Sequence, residues 1–147
     1  MARAGSALIV SCDGSSDWMI VGMGVDVASI ARVARLVADH AAALDRLFTT
    51  GERGFCDLTG GRRREARYAA AFAAKEAVLK ALSTGWRADI EWSDIDTQAV
   101  ERHGGVVLSG GASAAAERLG VVRVLVCSSI TRESAIAAAV AEGRARA

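Results

Sequence analysis

The sequence contains no proline and few cysteines among its 147 residues. Its three cysteines, Cys12, Cys56 and Cys127, lie far apart and lack CxxC spacing, so the sequence supports neither a disulfide framework nor a zinc site. We expect ordinary buried thiols. Because proline is absent, glycine must mark the breaks between secondary-structure elements.

Neither sign of charge dominates, since 18 Lys and Arg residues balance 17 Asp and Glu residues for a net charge of +1. A protein without a basic excess is not expected to bind nucleic acid, except through a local patch. No run of about 18 apolar residues is present, which excludes a membrane-spanning helix. The apolar run at Ala7–Val10 is also too short for a secretory signal. We therefore expect a cytoplasmic protein that does not bind membranes.

The chain length suits one domain with a sizeable core, and 52% of the residues are hydrophobic. Residues 1–18, which include the polar segment "CDGSSD", are predicted to form an N-terminal extension that carries no chemistry. Residues 19–147 are predicted to form the folded domain.

Hydrophobic periodicity predicts a mixed α+β domain. Thr49 and Glu52 have the spacing of a capping box at the start of a short helix. The final segment "SAIAAAVAEG" is ambiguous, because its alanines favour a helix while its position after a strand and a turn favours a hairpin partner. The other predicted elements are, in order, a strand at 18–27, a helix from near Ser29, a long helix from about Arg63 to Leu82 ended by Gly85, strands at "DIDTQAV" and "VVLSG", a helix at "ASAAAERLG" ended by Gly120, and a strand at "VVRVLVCSSI".

The long helix carries charges among small apolar residues, at Lys75, Glu76 and Lys80. Glu76 and Lys80 are four residues apart, a spacing that suits a solvated ion pair contributing about 0.2–0.5 kcal/mol. Asp26, which follows an apolar strand, suits the N-cap of the next helix. Alternatively, Asp26 and Glu76 meet in space and hold Mg²⁺, which prefers carboxylate and phosphate oxygens. Periodicity alone leaves both interpretations open.

Four segments in a fixed order resemble the holo-acyl-carrier-protein synthases, which are short 4′-phosphopantetheinyl transferases. They are "GMGVDVASIARV", then "FAAKEAVLKALSTG" about fifty residues later, then "WSDI", and finally "SITR" with "AIAAAVAEG". The most specific element is "FAAKEA" with its downstream lysine, in order after G-x-D. The resemblance extends from about Met19 to Gly143.

The resemblance implies roles for individual residues. Asp26 and Glu76 would hold Mg²⁺, and either Glu76 or a metal-bound water would deprotonate the acceptor serine. Lys80 would lie near the reacting phosphate, with Lys75 beside it in the coenzyme site. Arg32 would face an acidic carrier protein.

The implied reaction is the transfer of 4′-phosphopantetheine from coenzyme A to a serine of an apo acyl or peptidyl carrier protein, in fatty-acid or polyketide biosynthesis. The implied fold is a single α+β domain with an antiparallel sheet packed on helices. Its relatives are usually homotrimers with active sites between subunits. The final segment would then be a strand.

The chain departs from the family pattern where relatives bind the coenzyme phosphates. Ala71 stands where relatives usually have arginine, and Arg132 ends a segment that usually ends in histidine. Arg67, one helical turn before Ala71, and Arg132 are expected to bind the coenzyme instead. Both arginines could equally be solvated.

Two other classes of function remain. One is an inactive relative that only binds carrier protein or acts as an assembly domain, and assays with added carrier protein would separate it from the enzyme. The other, a P-loop or Rossmann nucleotide binder, is disfavoured because "GMG" lacks the third glycine and no GxxxxGK[ST] segment exists.

Overall fold

The computed structural model describes residues 18–39, 41–84, 89–98, 100 and 104–144. A three-stranded antiparallel sheet packs against one long helix, with the strands in the order β1-β5-β4. β2 and β3 form a second, two-stranded sheet, and Gly105, just before β3, bridges to Leu125 of β4. The elements are β1 Trp18–Ser29, α1 Ile30–Asp39, α2 Ala41–Leu47, α3 Thr50–Asp57, α4 Gly61–Ala81, a 3₁₀ turn Trp92–Asp94, β2 Ile95–Asp96, β3 Val107–Leu108, α5 Gly110–Leu119, β4 Val121–Ile130 and β5 Ser134–Arg144.

The α+β prediction is confirmed, and most predicted elements occur within a few residues of their expected bounds. Trp18 already belongs to β1, where it pairs with Arg144, while residues 1–17 of the predicted extension lie outside the described residues. Gly85, the predicted end of the long helix, also lies outside them. Gly120 ends α5 in the left-handed conformation (φ 71°), as predicted. The strand predicted at "DIDTQAV" is shorter, because the chain forms a 3₁₀ turn up to Asp94.

The ambiguous final segment is the central strand of the sheet. β5 pairs antiparallel with both β1 and β4, and its alternate residues face α4. These residues are all alanines or glycine, and Ala135, Ala137, Ala139 and Ala141 are at most 1% exposed. Small side chains at every second position let a helix pack closely on the sheet. Tertiary packing therefore overrides the helical propensity of alanine.

Two glycines of β1 allow α4 to approach the strand closely. A Cβ atom on Gly22 would lie 2.0 Å from the carbonyl oxygen of Ala81, and one on Gly24 would lie 2.0 Å from that of Ala77. Any side chain at either position would push α4 away from the sheet. Because the two backbones are in contact here, Asp26, two residues after Gly24 on β1, reaches Lys80 on α4.

The face of the sheet that points away from α4 is apolar and exposed. It carries Met23 and Val25 of β1, Ile136 of β5 and Leu125 of β4, with exposed fractions between 37% and 64%. Nothing in the protomer's described residues covers these side chains as α4 covers the other face. Among the described residues, none of the helices has the length and hydropathy needed to cross a membrane.

Candidate active site

Asp26 and Lys80 form the ion pair that joins β1 to α4. Lys80 Nζ lies 2.7 Å from Asp26 Oδ1 and also donates to the carbonyl oxygen of Val25 at 2.8 Å. Asp26 pairs with Ala137 inside β1, three residues before the strand ends, so the interpretation of Asp26 as a helix N-cap is wrong. The strongest contact of Lys80 is thus with a strand residue rather than with its own helix.

Glu76 lies in the same pocket as Asp26. Burial raises the pKa of the Glu76 carboxyl, and the negative charge of Asp26 raises it further, while Lys80 and Arg32 act in the opposite direction. The structure therefore brings together four of the residues that the sequence singled out. The pocket is lined by Asp26, Arg32, Val33, Leu36, Phe72 and Glu76, among others.

The donor set of this pocket fits Mg²⁺. Two carboxylates that repel each other in a half-buried pocket would both be stabilised by a divalent cation. Within the described residues, no group of three or more His, Cys, Asp and Glu side chains converges. Two carboxylates leave room for water and for phosphate oxygens, which is how Mg²⁺ usually binds in phosphoryl-transfer sites.

Lys75 does not belong to this pocket, and the structure corrects the prediction that it binds coenzyme. Its side chain is fully buried, and its ammonium contacts Glu52 Oε2 at 2.8 Å and the carbonyl oxygens of Trp92 and Ile95 at 2.8 and 2.6 Å. Three acceptors match the three donors of an ammonium group, so none is left for a ligand. Burial lowers the pKa of Lys75, and the charge of Glu52 opposes that change.

The two arginines expected at the coenzyme lie in pockets of their own. Arg67 stacks over the Phe55 ring at 4.4 Å and donates to the Phe55 carbonyl oxygen at 3.0 Å, next to Ala71. Arg132 is exposed in the β4–β5 turn, where Arg62 donates to its backbone carbonyl oxygen. Within one protomer, neither arginine lines the pocket of Asp26 and Glu76.

Sequence reasoning missed the aromatic side of the site. Phe72 lines the carboxylate pocket and lies one helical turn before Glu76, a spacing that the sequence showed. Its ring stacks on that of Trp92, with centroids 5.1 Å apart and an interplanar angle of 20°. Trp92 belongs to the "WSDI" segment, but that segment does not show that the Trp92 ring contacts α4.

The structure is thus an α+β domain in which two carboxylates and a lysine lie together between a strand and a helix. The family model described as the 4′-phosphopantetheinyl transferase superfamily matches residues 22–139, and the chain belongs to this family.

Similar proteins carry a more specific name. A holo-[acyl-carrier-protein] synthase of Anaeromyxobacter dehalogenans is 43% identical over 132 residues, which cover 85% of this chain and 98% of that protein. A Mycobacterium tuberculosis acyl carrier protein synthase structure is 32% identical, with a TM-score of 0.63 over 85% of this chain and 99% of that one. The Bacillus anthracis enzyme, solved in complex with coenzyme A (3′,5′-ADP), is 26% identical, with a TM-score of 0.66 over 85% and 98% of the two chains.

Proposed function

We propose that this protein transfers 4′-phosphopantetheine from coenzyme A to a serine of an apo acyl or peptidyl carrier protein, with Mg²⁺ as cofactor. The observation that carries the proposal is the pocket that Asp26 and Glu76 share, together with the ion pair between Lys80 and Asp26. Relatives that cover most of the chain are named holo-[acyl-carrier-protein] synthases. The residues of the pocket suit that reaction.

The reaction forms a bond between the serine oxygen and the phosphorus that carries pantetheine. The bond from that phosphorus to the adenosine bisphosphate breaks, so adenosine 3′,5′-bisphosphate leaves. The serine proton must go to a base. Glu76, a half-buried carboxylate that lines the pocket, is proposed as that base.

Charge neutralisation is the other requirement, because phosphoryl transfer depends mainly on positioning and on stabilising phosphate charge. Mg²⁺ held by Asp26 and Glu76 would neutralise the pyrophosphate oxygens. Lys80 contacts Asp26 and the Val25 carbonyl oxygen, and its proposed role is to stabilise charge on the leaving group.

The carrier protein is proposed to bind on the α1 side of the pocket. Arg32 is exposed at the rim, and its charge already acts on Glu76. Leu36 and Phe72 add an apolar surface beside it. A cation next to an apolar surface suits an acidic helix that presents a serine.

The coenzyme phosphates are proposed to bind Arg67 and Arg132. Because these arginines lie outside the carboxylate pocket of one protomer, the complete site requires surfaces from neighbouring copies in a homotrimer. The exposed apolar face of the sheet, with Met23, Val25 and Ile136, supports such an assembly.

The intact mass of an apo carrier protein, incubated with this protein, coenzyme A and Mg²⁺, tests the proposal. We expect the carrier to gain one phosphopantetheine group, and a chelator to prevent the gain. An inactive relative would bind the carrier without changing its mass. Failure to modify any host carrier with any divalent metal would contradict the proposed function.

A further inference from the structure

The aromatic wall of the carboxylate pocket is formed by a side chain that is itself supported from behind. Phe72 lies one turn before Glu76 on α4 and lines the same pocket as Arg32 and Leu36. The Trp92 ring stacks on Phe72 at 5.1 Å, nearly parallel to it. Since Trp92 is not one of the residues that line the pocket, it acts on the pocket through Phe72.

The backbone that carries Trp92 is anchored by a buried cation. Lys75 donates to the carbonyl oxygens of Trp92 and Ile95, at the two ends of the 3₁₀ turn. Lys75 therefore ties this turn directly to α4, three residues after Phe72. It shares that helix with Glu76, its neighbour, whose side chain points into the pocket.

Hydrogen bonds from Thr97 and Thr49 hold Glu52, whose carboxylate balances the charge of Lys75. Glu52 accepts from the backbone N–H and the hydroxyl of Thr97 at 2.8 and 2.6 Å, and from the backbone N–H of Thr49 at 2.8 Å. Glu52 is 1% exposed and Lys75 is 0% exposed. A buried pair whose polar atoms are all bonded has one geometry rather than several.

We propose that Trp92 is a positioning residue for the carrier protein: its ring holds Phe72 in place, and Lys75 holds Trp92. The inference rests on the proposed function. The carrier is the substrate concerned, because the wall formed by Phe72 continues onto α1 through Leu36 and Arg32, the side on which the carrier is proposed to bind. The coenzyme is proposed to reach this pocket only with its pyrophosphate and to bind Arg67 and Arg132 in other pockets. A wall held in one rotamer lowers the ordering cost when the segment around the serine binds.

Trp92→Ala, compared with Trp92→Phe and with the control Trp18→Ala, tests this inference. Trp18 lies at the start of β1, where its ring contacts Arg123 and Arg144 rather than the pocket. We expect Trp92→Ala to raise the Michaelis constant for the carrier about five- to tenfold, the size of a lost aromatic pair. The Michaelis constant for coenzyme A should stay within about twofold, and Trp92→Phe should restore most carrier binding.

Lys75 separates positioning from stability. Lys75→Met leaves Glu52 buried without its partner and should lower the melting temperature. The double variant Lys75→Met with Glu52→Gln removes that charge, so it should regain part of the melting temperature. It still lacks the donor to the Trp92 carbonyl oxygen, so the Michaelis constant for the carrier should stay raised. Recovery of carrier binding in step with the melting temperature would assign Lys75 a purely structural role and overturn its part of the inference.

The wild-type protein in the same assay separates the two proposals. If the wild type modifies no carrier, the proposed function fails, and this inference with it. If the wild type is active and Trp92→Ala keeps its Michaelis constant for the carrier, or changes both constants equally, the inference alone is overturned.

Discussion

Lys80 Nζ lies 2.7 Å from Asp26 Oδ1, although the two residues are 54 positions apart in the chain. The contact depends on the glycines of β1, which let α4 pack against the strand backbone. Glu76, one helical turn before Lys80, faces Asp26 in the same pocket. A strand and a helix thus place two carboxylates and an ammonium group together.

Asp26→Asn and Glu76→Gln should each reduce transfer by on the order of a hundredfold or more, because each removes a charged oxygen ligand for Mg²⁺ with little change in volume. The rate of holo carrier formation at saturating Mg²⁺ measures this effect. Circular dichroism should show an unchanged fold.

The matched control is Glu117→Gln on α5. The exposed Glu117 carboxylate accepts a hydrogen bond from Ser113, and neither residue lines the pocket. This variant should keep the wild-type rate. Wild-type rates in both Asp26→Asn and Glu76→Gln would instead mean that the two carboxylates have only structural roles.

Glu76 should make the protein less stable as the pH rises, in the absence of metal. Burial and Asp26 raise the pKa of Glu76 in the folded state above its usual 4.5. The folded state therefore binds the proton more tightly than the unfolded state, so stability falls as the pH rises from 4.5 through the raised pKa, and the loss persists above it. Glu76→Gln should remove this loss.

Thermal unfolding across this pH range, with chelator present, gives the comparison. At neutral pH, Glu76→Gln should melt at or above the wild-type temperature, and the difference should shrink below pH 4.5. Addition of Mg²⁺ should raise the melting temperature of the wild type and leave that of the variant nearly unchanged. A variant that melts well below the wild type at neutral pH would show that the Glu76 carboxylate stabilises the fold.

The apolar face of the sheet should mediate trimer formation. Ile136→Glu places a charge on the central strand of that face, so it should dissociate the trimer and reduce activity on the order of tenfold or more, if sites lie between subunits. Sedimentation velocity measures the mass of the assembly.

Leu58→Glu is the matched control, because Leu58 is 75% exposed at the end of α3. A wild-type protein that sediments as one protomer at assay concentrations contradicts the assembly.

Arg132→Ala should raise the Michaelis constant for coenzyme A by about tenfold, because a charged hydrogen bond is lost. The Michaelis constant for the carrier should not change. Arg132→His should restore part of the binding, more at acidic than at alkaline pH, because only the protonated imidazole is charged. If the contact is with the 3′-phosphate, the alanine variant should no longer distinguish coenzyme A from its 3′-dephospho form. Equal constants for wild type and Arg132→Ala leave Arg67 as the remaining candidate.

Local patterns were sufficient to predict elements whose signal lies within a few residues. β1, β4 and the capping box of Thr49 and Glu52 fall into this group. β5 was ambiguous because alanine favours a helix by itself, while the close approach of α4 selects small side chains on a strand. That selection is a tertiary effect, so propensity could not show it.

The site residues likewise divide into those that local patterns predict and those that depend on tertiary contacts. Periodicity allows Asp26 to be a helix N-cap and Glu76 to be part of a solvated ion pair, but it equally allows both to be metal ligands. Only the family resemblance favours the metal ligands. Lys75 was misplaced because its sequence neighbour Glu76 belongs to the site, whereas the helix turns the two side chains in different directions. The "WSDI" segment includes Trp92, but its contact with Phe72 joins two distant parts of the chain, so no local pattern shows it.

Transfer of phosphopantetheine is tested by the amount of adenosine 3′,5′-bisphosphate released per holo carrier formed. With coenzyme A, Mg²⁺ and apo carrier present, we expect one molecule released for each carrier modified, and none when the carrier serine is replaced by alanine. Release without carrier modification would indicate hydrolysis of the coenzyme. Either that result, or no release at all in the complete mixture, would contradict transfer of phosphopantetheine by this protein.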